Sequence, residues 1–148
     1  MHKEVVILIA EDDEGHAGLI RKNLARAGIV NELLHFRDGQ EILDFLFRTG
    51  PGRVRESGKA YFLLLDIRMP KLDGVEVLAR IKADPELRRI PVIMITTTDD
   101  PREVDRCHEL GCSSYITKPI EYEAFVNAIR QLGLFLSVVQ VPTINGDH

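Results

Sequence analysis

At 148 residues and 45% hydrophobic content, the chain is the size of one domain and has enough apolar material for a core. Disorder is therefore not the default. A formal charge of −4 argues against a general nucleic-acid coat, which carries a basic surface. The apolar run in MHKEVVILIAEDD is too short for a signal peptide or a membrane span, so a cytoplasmic protein that engages neither DNA nor membrane is expected.

Strand-like and helix-like runs alternate, the pattern of βαβ units around a parallel sheet. Residues 5–10 form a continuous apolar run, as in a strand covered on both faces. Asp12 and Asp13 can cap a helix carrying Leu19, Ile20, Leu24 and Ala27 and stopping at Gly28. Residues 31–36 read as a more polar edge strand. After the Asp38-Gly39 turn, residues 41–47 give a helix with a wide apolar face. Residues 61–65 are a deeply apolar strand ending at Asp66, followed by a loop with Asp73-Gly74 and a helix over 75–83. Residues 91–95 are the fourth strand. Asp100-Pro101 starts a helix that ends at Gly111. Residues 114–117 are the last strand and 121–132 the last helix. The fold class expected is α/β, a flavodoxin-like doubly wound parallel sheet of five strands in the order 2-1-3-4-5, with ligands outside the carboxyl ends of the strands.

Two stretches lie outside that plan. Residues 48–59 (RTGPGRVRESGK) read as a solvated basic insertion, and 133–148 as a tail whose first part, LFLSVVQV, is more apolar than a soluble end needs. The division expected is 1–132 for the domain and 133–148 for a tail that either packs back or forms an interface, with a homodimer as the competing use. Cys107 and Cys112 with His108 between them lack a second ligand pair, so zinc is not expected, and the thiols are expected to be free.

The chemistry lies where apolar strands run out: Glu11 and Asp12, Asp66, Thr96 and Lys118. In an open parallel sheet these ends share one rim. Carboxylates crowded at ~4 Å repel by roughly 4 kcal/mol per pair at an effective dielectric near 20, which a cation relieves. Mg²⁺ suits an all-oxygen site that keeps waters and shares a phosphate oxygen, with Asp12 as ligand and Glu11 acting partly through water. Asp66, held by a rigid strand, can attack phosphorus and form an acyl phosphate. The cation and Lys118 would neutralise the developing charge. Thr96 is placed to donate to a phosphoryl oxygen, Tyr115 could swing between outside and inside, and a cis Lys118–Pro119 bond would aim the lysine inward.

Together the runs VVILIAEDDE, LLLDIRMPKLDG, PVIMITT and SSYITKP resemble the receiver domain of bacterial two-component response regulators, in order and from Val5 to Leu132. The resemblance implies a histidine kinase donor, Asp66 as phosphoacceptor, and Mg²⁺ held by Glu11, Asp12, Asp66 and the backbone carbonyl of Arg68. It also implies Thr96 and Tyr115 as a switch pair and a cis peptide at Lys118-Pro119. The basic insertion and the tail look like the single-domain regulators that partner bacterial phytochromes. A phosphorelay or scaffold receiver serving another kinase is the alternative. The protein is expected to be a phosphoacceptor with intrinsic Mg²⁺-dependent autophosphorylation and autodephosphorylation, not an enzyme in the ordinary sense. Sixteen residues after Leu132 are too few for a helix-turn-helix module, so output by protein contact is expected.

Three rivals fit less well. A haloacid-dehalogenase-type phosphohydrolase wants a second acid two residues after the nucleophile, where Arg68 stands. GRVRESGKA misses phosphate-loop spacing. A purely structural module would not need Asp12, Asp66, Thr96 and Lys118 together.

Overall fold

The computed structural model describes residues 2 and 4–146; Met1, Lys3 and the last two positions of the tail, Asp147 and His148, lie outside the described residues. In chain order the elements are β1 (Val6–Ala10), α1 (Glu14–Arg26), β2 (Leu33–Phe36), α2 (Gly39–Phe47), β3 (Lys59–Leu65), α3 (Gly74–Ala83), a short 3-10 turn (Leu87–Arg89), β4 (Val92–Thr96), α4 (Pro101–Leu110), β5 (Ser114–Thr117), α5 (Tyr122–Leu136) and β6 (Thr143–Ile144). Five parallel strands run in the order β2-β1-β3-β4-β5, as expected for the doubly wound fold.

Alternation along the central strands explains why both faces need helices. Val6, Leu8 and Ala10 pack with Leu63, Leu65 and Met94 under the apolar stripes of α2 and α3, which contribute Ile42, Leu46, Val77 and Ile81. Ile7, Ile9, Phe62, Leu64 and Ile93 face the other way, onto Ile20 and Leu24 of α1 and Phe125, Ile129 and Leu132 of α5. Each such side chain, when fully buried, contributes about 1.5–3 kcal/mol. Aspartates start four helices: Asp13, Asp38, Asp73 and Asp100 each accept a backbone N–H of the first turn, satisfying donors the helix leaves open.

The two extra stretches are tied to the domain more closely than the 132/133 division implies. The expected division at 132/133 falls inside α5, which continues to Leu136. Gly133 allows this, because a Cβ there would sit 2.6 Å from that of Ala27, the C-cap of α1. The chain then returns to the sheet, where β6 pairs antiparallel with the start of β3 and buries Ile144 completely. Over its described residues, the tail packs back on its own domain.

The insertion is mostly solvated, as expected, but one of its arginines is not. Arg55 is only 1% exposed, and its guanidinium donates to the carbonyls of Leu46 (2.8 Å) and Asn145 (3.0 Å). Arg48 donates to the carbonyls of Arg55 (3.0 Å) and Gly146 (2.8 Å) and to Ser57 Oγ (2.7 Å). Irregular segments lack ladder partners for their carbonyls, and a guanidinium with five fixed donors can serve several at once. Insertion and tail thus form one clasp. Arg55→Ala should lower stability by roughly 2–4 kcal/mol through unpaired buried carbonyls and a cavity. It should also speed exchange of the Gly58 amide, which bonds Ile144 O at 2.7 Å. Unchanged melting and unchanged exchange would remove the clasp from the account.

Candidate functional site

The carboxyl ends of the strands gather the chemistry on one rim. Backbone bonds extend the sheet beyond its formal ends: Glu11 N–H to Phe36 O (2.9 Å), Asp66 N–H to Ala10 O (3.0 Å) and Lys118 N–H to Thr96 O (2.6 Å). These bonds fix the Cα positions of Glu11, Asp66 and Lys118 before any side chain is considered. The loop after β3 closes tightly over Asp66, where Gly74 N–H donates to Ile67 O (2.8 Å). A Cβ on Gly74 would lie 2.1 Å from the carbonyl oxygen of Asp66, so this close approach requires glycine.

The side chains converge as the sequence predicted. Glu11, Asp12 and Asp66 each present a carboxylate oxygen within 4.8 Å of the others. Lys118 Nζ donates to Glu11 Oε1 and, at 3.2 Å, to Asp66 Oδ2. Glu11, Asp66 and Lys118 are all buried, while Asp12 faces solvent. Burial is the main reason the Glu11 carboxyl is pushed up to about 7; the charge of Asp66 adds to this and Lys118 opposes it. All three carboxylates offer hard oxygen donors, the set a small divalent cation prefers. The rim therefore fits such an ion. Asp13 caps α1, and accepting the His16 N–H holds its carboxyl below the usual range.

Thr96 is fully buried and its Oγ1 has no hydrogen-bond partner among the described residues. An unpaired buried hydroxyl costs about 1–3 kcal/mol, so its presence at this rim calls for a reason. Tyr115 points its hydroxyl at Thr98 O (2.7 Å), and burial pushes the phenol up to about 12. Thr98 Oγ1 donates to Glu103 Oε2 (2.7 Å), which lies 4.0 Å from the Arg68 guanidinium. The loop after Asp66, the start of α4 and Tyr115 are thereby connected.

One expectation is not met. No cis peptide bond occurs among the described residues, so the Lys118–Pro119 bond is trans. The ammonium reaches the rim without it, because the bond from the Lys118 amide to Thr96 O already directs the residue, and trans is favoured by about 0.5–1 kcal/mol at X–Pro bonds.

Two histidines were not anticipated. His16 Nδ1 lies 3.1 Å from Lys118 Nζ, and His35 Nε2 lies 2.7 Å from the carbonyl of Glu11. The place of His16, in the first turn of a helix starting at the rim, was a usable sign. His35 depended on strand register, which the polar edge strand did not declare.

This fold with this acidic rim is the architecture of a receiver domain. The response regulator receiver domain family matches residues 7–130, and the chain belongs to that family. A receiver domain from Rhodospirillum rubrum is 47% identical, with a TM-score of 0.87 over 95% of this chain and 99% of its own. The response regulator Rcp1 of Synechocystis is 35% identical over 138 residues, 93% of this chain and 92% of its length. The structure of its Mn²⁺-bound form superposes with a TM-score of 0.82 at 33% identity, over 93% and 98% of the two chains. The phosphorylated cyanobacterial phytochrome response regulator RcpA is 32% identical, with a TM-score of 0.81 over 96% and 99%. No helix among the described residues is long and apolar enough to cross a membrane.

Proposed function

We propose that Asp66 accepts a phosphoryl group from the phosphohistidine of a sensor kinase, of phytochrome type, and that the modified protein signals in the cytoplasm by contact with another protein. The observation that carries this reading is the buried Thr96 hydroxyl without a partner, on the rim that holds Asp66 and Lys118. It is a donor in search of an oxygen, and a phosphoryl group on Asp66 would supply one. The phytochrome assignment rests on the likeness to Rcp1 and RcpA.

In the reaction a carboxylate oxygen of Asp66 attacks phosphorus and forms an O–P bond. The P–N bond to the kinase imidazole breaks, and its electron pair stays on that nitrogen. Lys118 moves one N–H from Asp66 to a phosphoryl oxygen, offsetting charge where it develops. A divalent cation, Mg²⁺ in this reading, would be held by Glu11, Asp12, Asp66 and the backbone carbonyl of Arg68, and supplies charge neutralisation to the phosphoryl oxygens when bound. Thr96 then donates to the phosphoryl group. Tyr115 leaves the Thr98 carbonyl for the space Thr96 vacates, which remodels the surface of α4, β5 and α5. The same site would accept phosphate from small donors and lose it to water.

Incubation with acetyl phosphate and Mg²⁺ should yield protein phosphate that is stable in acid and labile in base, and Asp66→Asn should reduce it to background. Labelling of Asp66→Asn at the wild-type level would reject the assignment.

Leu134, Phe135 and Val138 remain exposed near the end of α5, and this reading makes that surface a homodimer contact. Because Leu136 and Ile144 are core residues, truncation is a poor test. Leu134→Glu with Val138→Glu should instead convert a sedimenting dimer to monomer. A wild-type protein that sediments as a monomer with and without phosphate would end the dimer proposal.

A further inference from the structure

We propose that His16 is a positioning residue that completes the coordination of the Lys118 ammonium and links it to α5. The inference rests on the phosphoacceptor reading of Asp66. A lysine ammonium has three N–H donors and no lone pair. Here three acceptors surround it: Glu11 Oε1, Asp66 Oδ2 at 3.2 Å and His16 Nδ1 at 3.1 Å. Lys118 can only donate, so in this proposal Nδ1 accepts from it and the ring proton sits on Nε2.

His16 is itself held at its backbone and at its ring. The backbone N–H donates to Asp13 Oδ1 at 3.0 Å, fixing the residue in the first turn of α1. Its ring lies on Phe125 of α5, with centroids 5.4 Å apart and planes 31° apart. The other two acceptors are carboxylates, and one of them is the group that becomes modified. When Lys118 gives up Asp66 for a phosphoryl oxygen, His16 is the acceptor that changes neither charge nor place. It leaves the ammonium a second fixed acceptor beside Glu11, the carboxylate it already contacts most closely. The Phe125 contact places that anchor against α5, a second connection between the rim and the surface to be remodelled.

Two substitutions separate the acceptor from the ring. His16→Phe keeps an aromatic ring for Phe125 and removes the acceptor. His16→Asn removes the ring but puts Oδ1 one bond from Cγ, where Nδ1 stands. A charge-assisted hydrogen bond is worth enough for a roughly tenfold to hundredfold change. With acetyl phosphate and Mg²⁺, the phosphorylation rate of His16→Phe should fall by that factor, and that of His16→Asn should stay within about threefold of wild type. Nitrogen-15 NMR of the metal-free wild-type protein should show His16 protonated at Nε2 and bare at Nδ1. The slowly exchanging Lys118 ammonium signal should survive in His16→Asn and vanish in His16→Phe. A proton on Nδ1, or a His16→Phe protein phosphorylated at the wild-type rate, overturns the proposal. If His16→Phe does not fold, the NMR of wild type and His16→Asn decides. If the wild-type protein takes no phosphate, the phosphoacceptor reading fails, while the NMR result still rules on His16.

Discussion

The buried ammonium of Lys118, held between the carboxylates of Glu11 and Asp66, is the constraint around which the rim is built. Withdrawing three charges from water is expensive, and a well-packed apolar cluster would often be as stable. The arrangement makes sense as a site prepared for further charge. With Asp12 open to solvent and two acids buried, the rim carries more negative charge than one lysine can offset. A divalent ion suits that excess, and a phosphoryl group arriving with it keeps the balance. The Glu11 carboxyl is pushed up to about 7 mainly by burial, with the charge of Asp66 adding to it.

The surrounding fold gives this cluster its rigidity and its audience. The strand-end backbone bonds hold Glu11, Asp66 and Lys118 while two separate cores grip the sheet from either side. On one side Thr98 and Glu103 connect the loop after Asp66 to α4 and Tyr115. On the other, His16 lies between Lys118 and Phe125 of α5. A change at Asp66 therefore has physical contacts leading to both helices. The unpaired hydroxyl of Thr96 gives that change a direction, toward a conformation in which the hydroxyl has a partner.

Most of the architecture could be read from the chain because its local instructions agree. Apolar runs of strand length end at acids or hydroxyls, and Asp13 and Asp100 cap helices as their positions suggest, while Asp38 and Asp73, read as turn and loop residues, prove to be caps as well. The rim followed from topology alone, since parallel strands bring their carboxyl ends together. What the sequence does not declare depends on long-range pairing. Arginines in a Gly-rich loop look solvated until the carbonyls they serve, at 145 and 146, are known to return beside them. The apolar tail left two outcomes open, packing back or an interface, because nothing local announces that Ile144 joins β3. Gly74 looked like turn punctuation, whereas its bare Cα is needed against the backbone of Asp66. The Lys118–Pro119 bond is trans, the favoured isomer, and the lysine reaches the rim all the same.

The central claim is that Lys118 neutralises a carboxylate pair which a divalent cation can also neutralise. Thermal unfolding of Lys118→Met with and without Mg²⁺ tests it most directly. The account predicts a metal-free variant destabilised by about 3–5 kcal/mol, the usual cost of leaving a buried charge unpaired, and a larger gain from Mg²⁺ than the wild-type protein shows. A variant that melts with the wild-type protein, or gains nothing more from Mg²⁺, would contradict it.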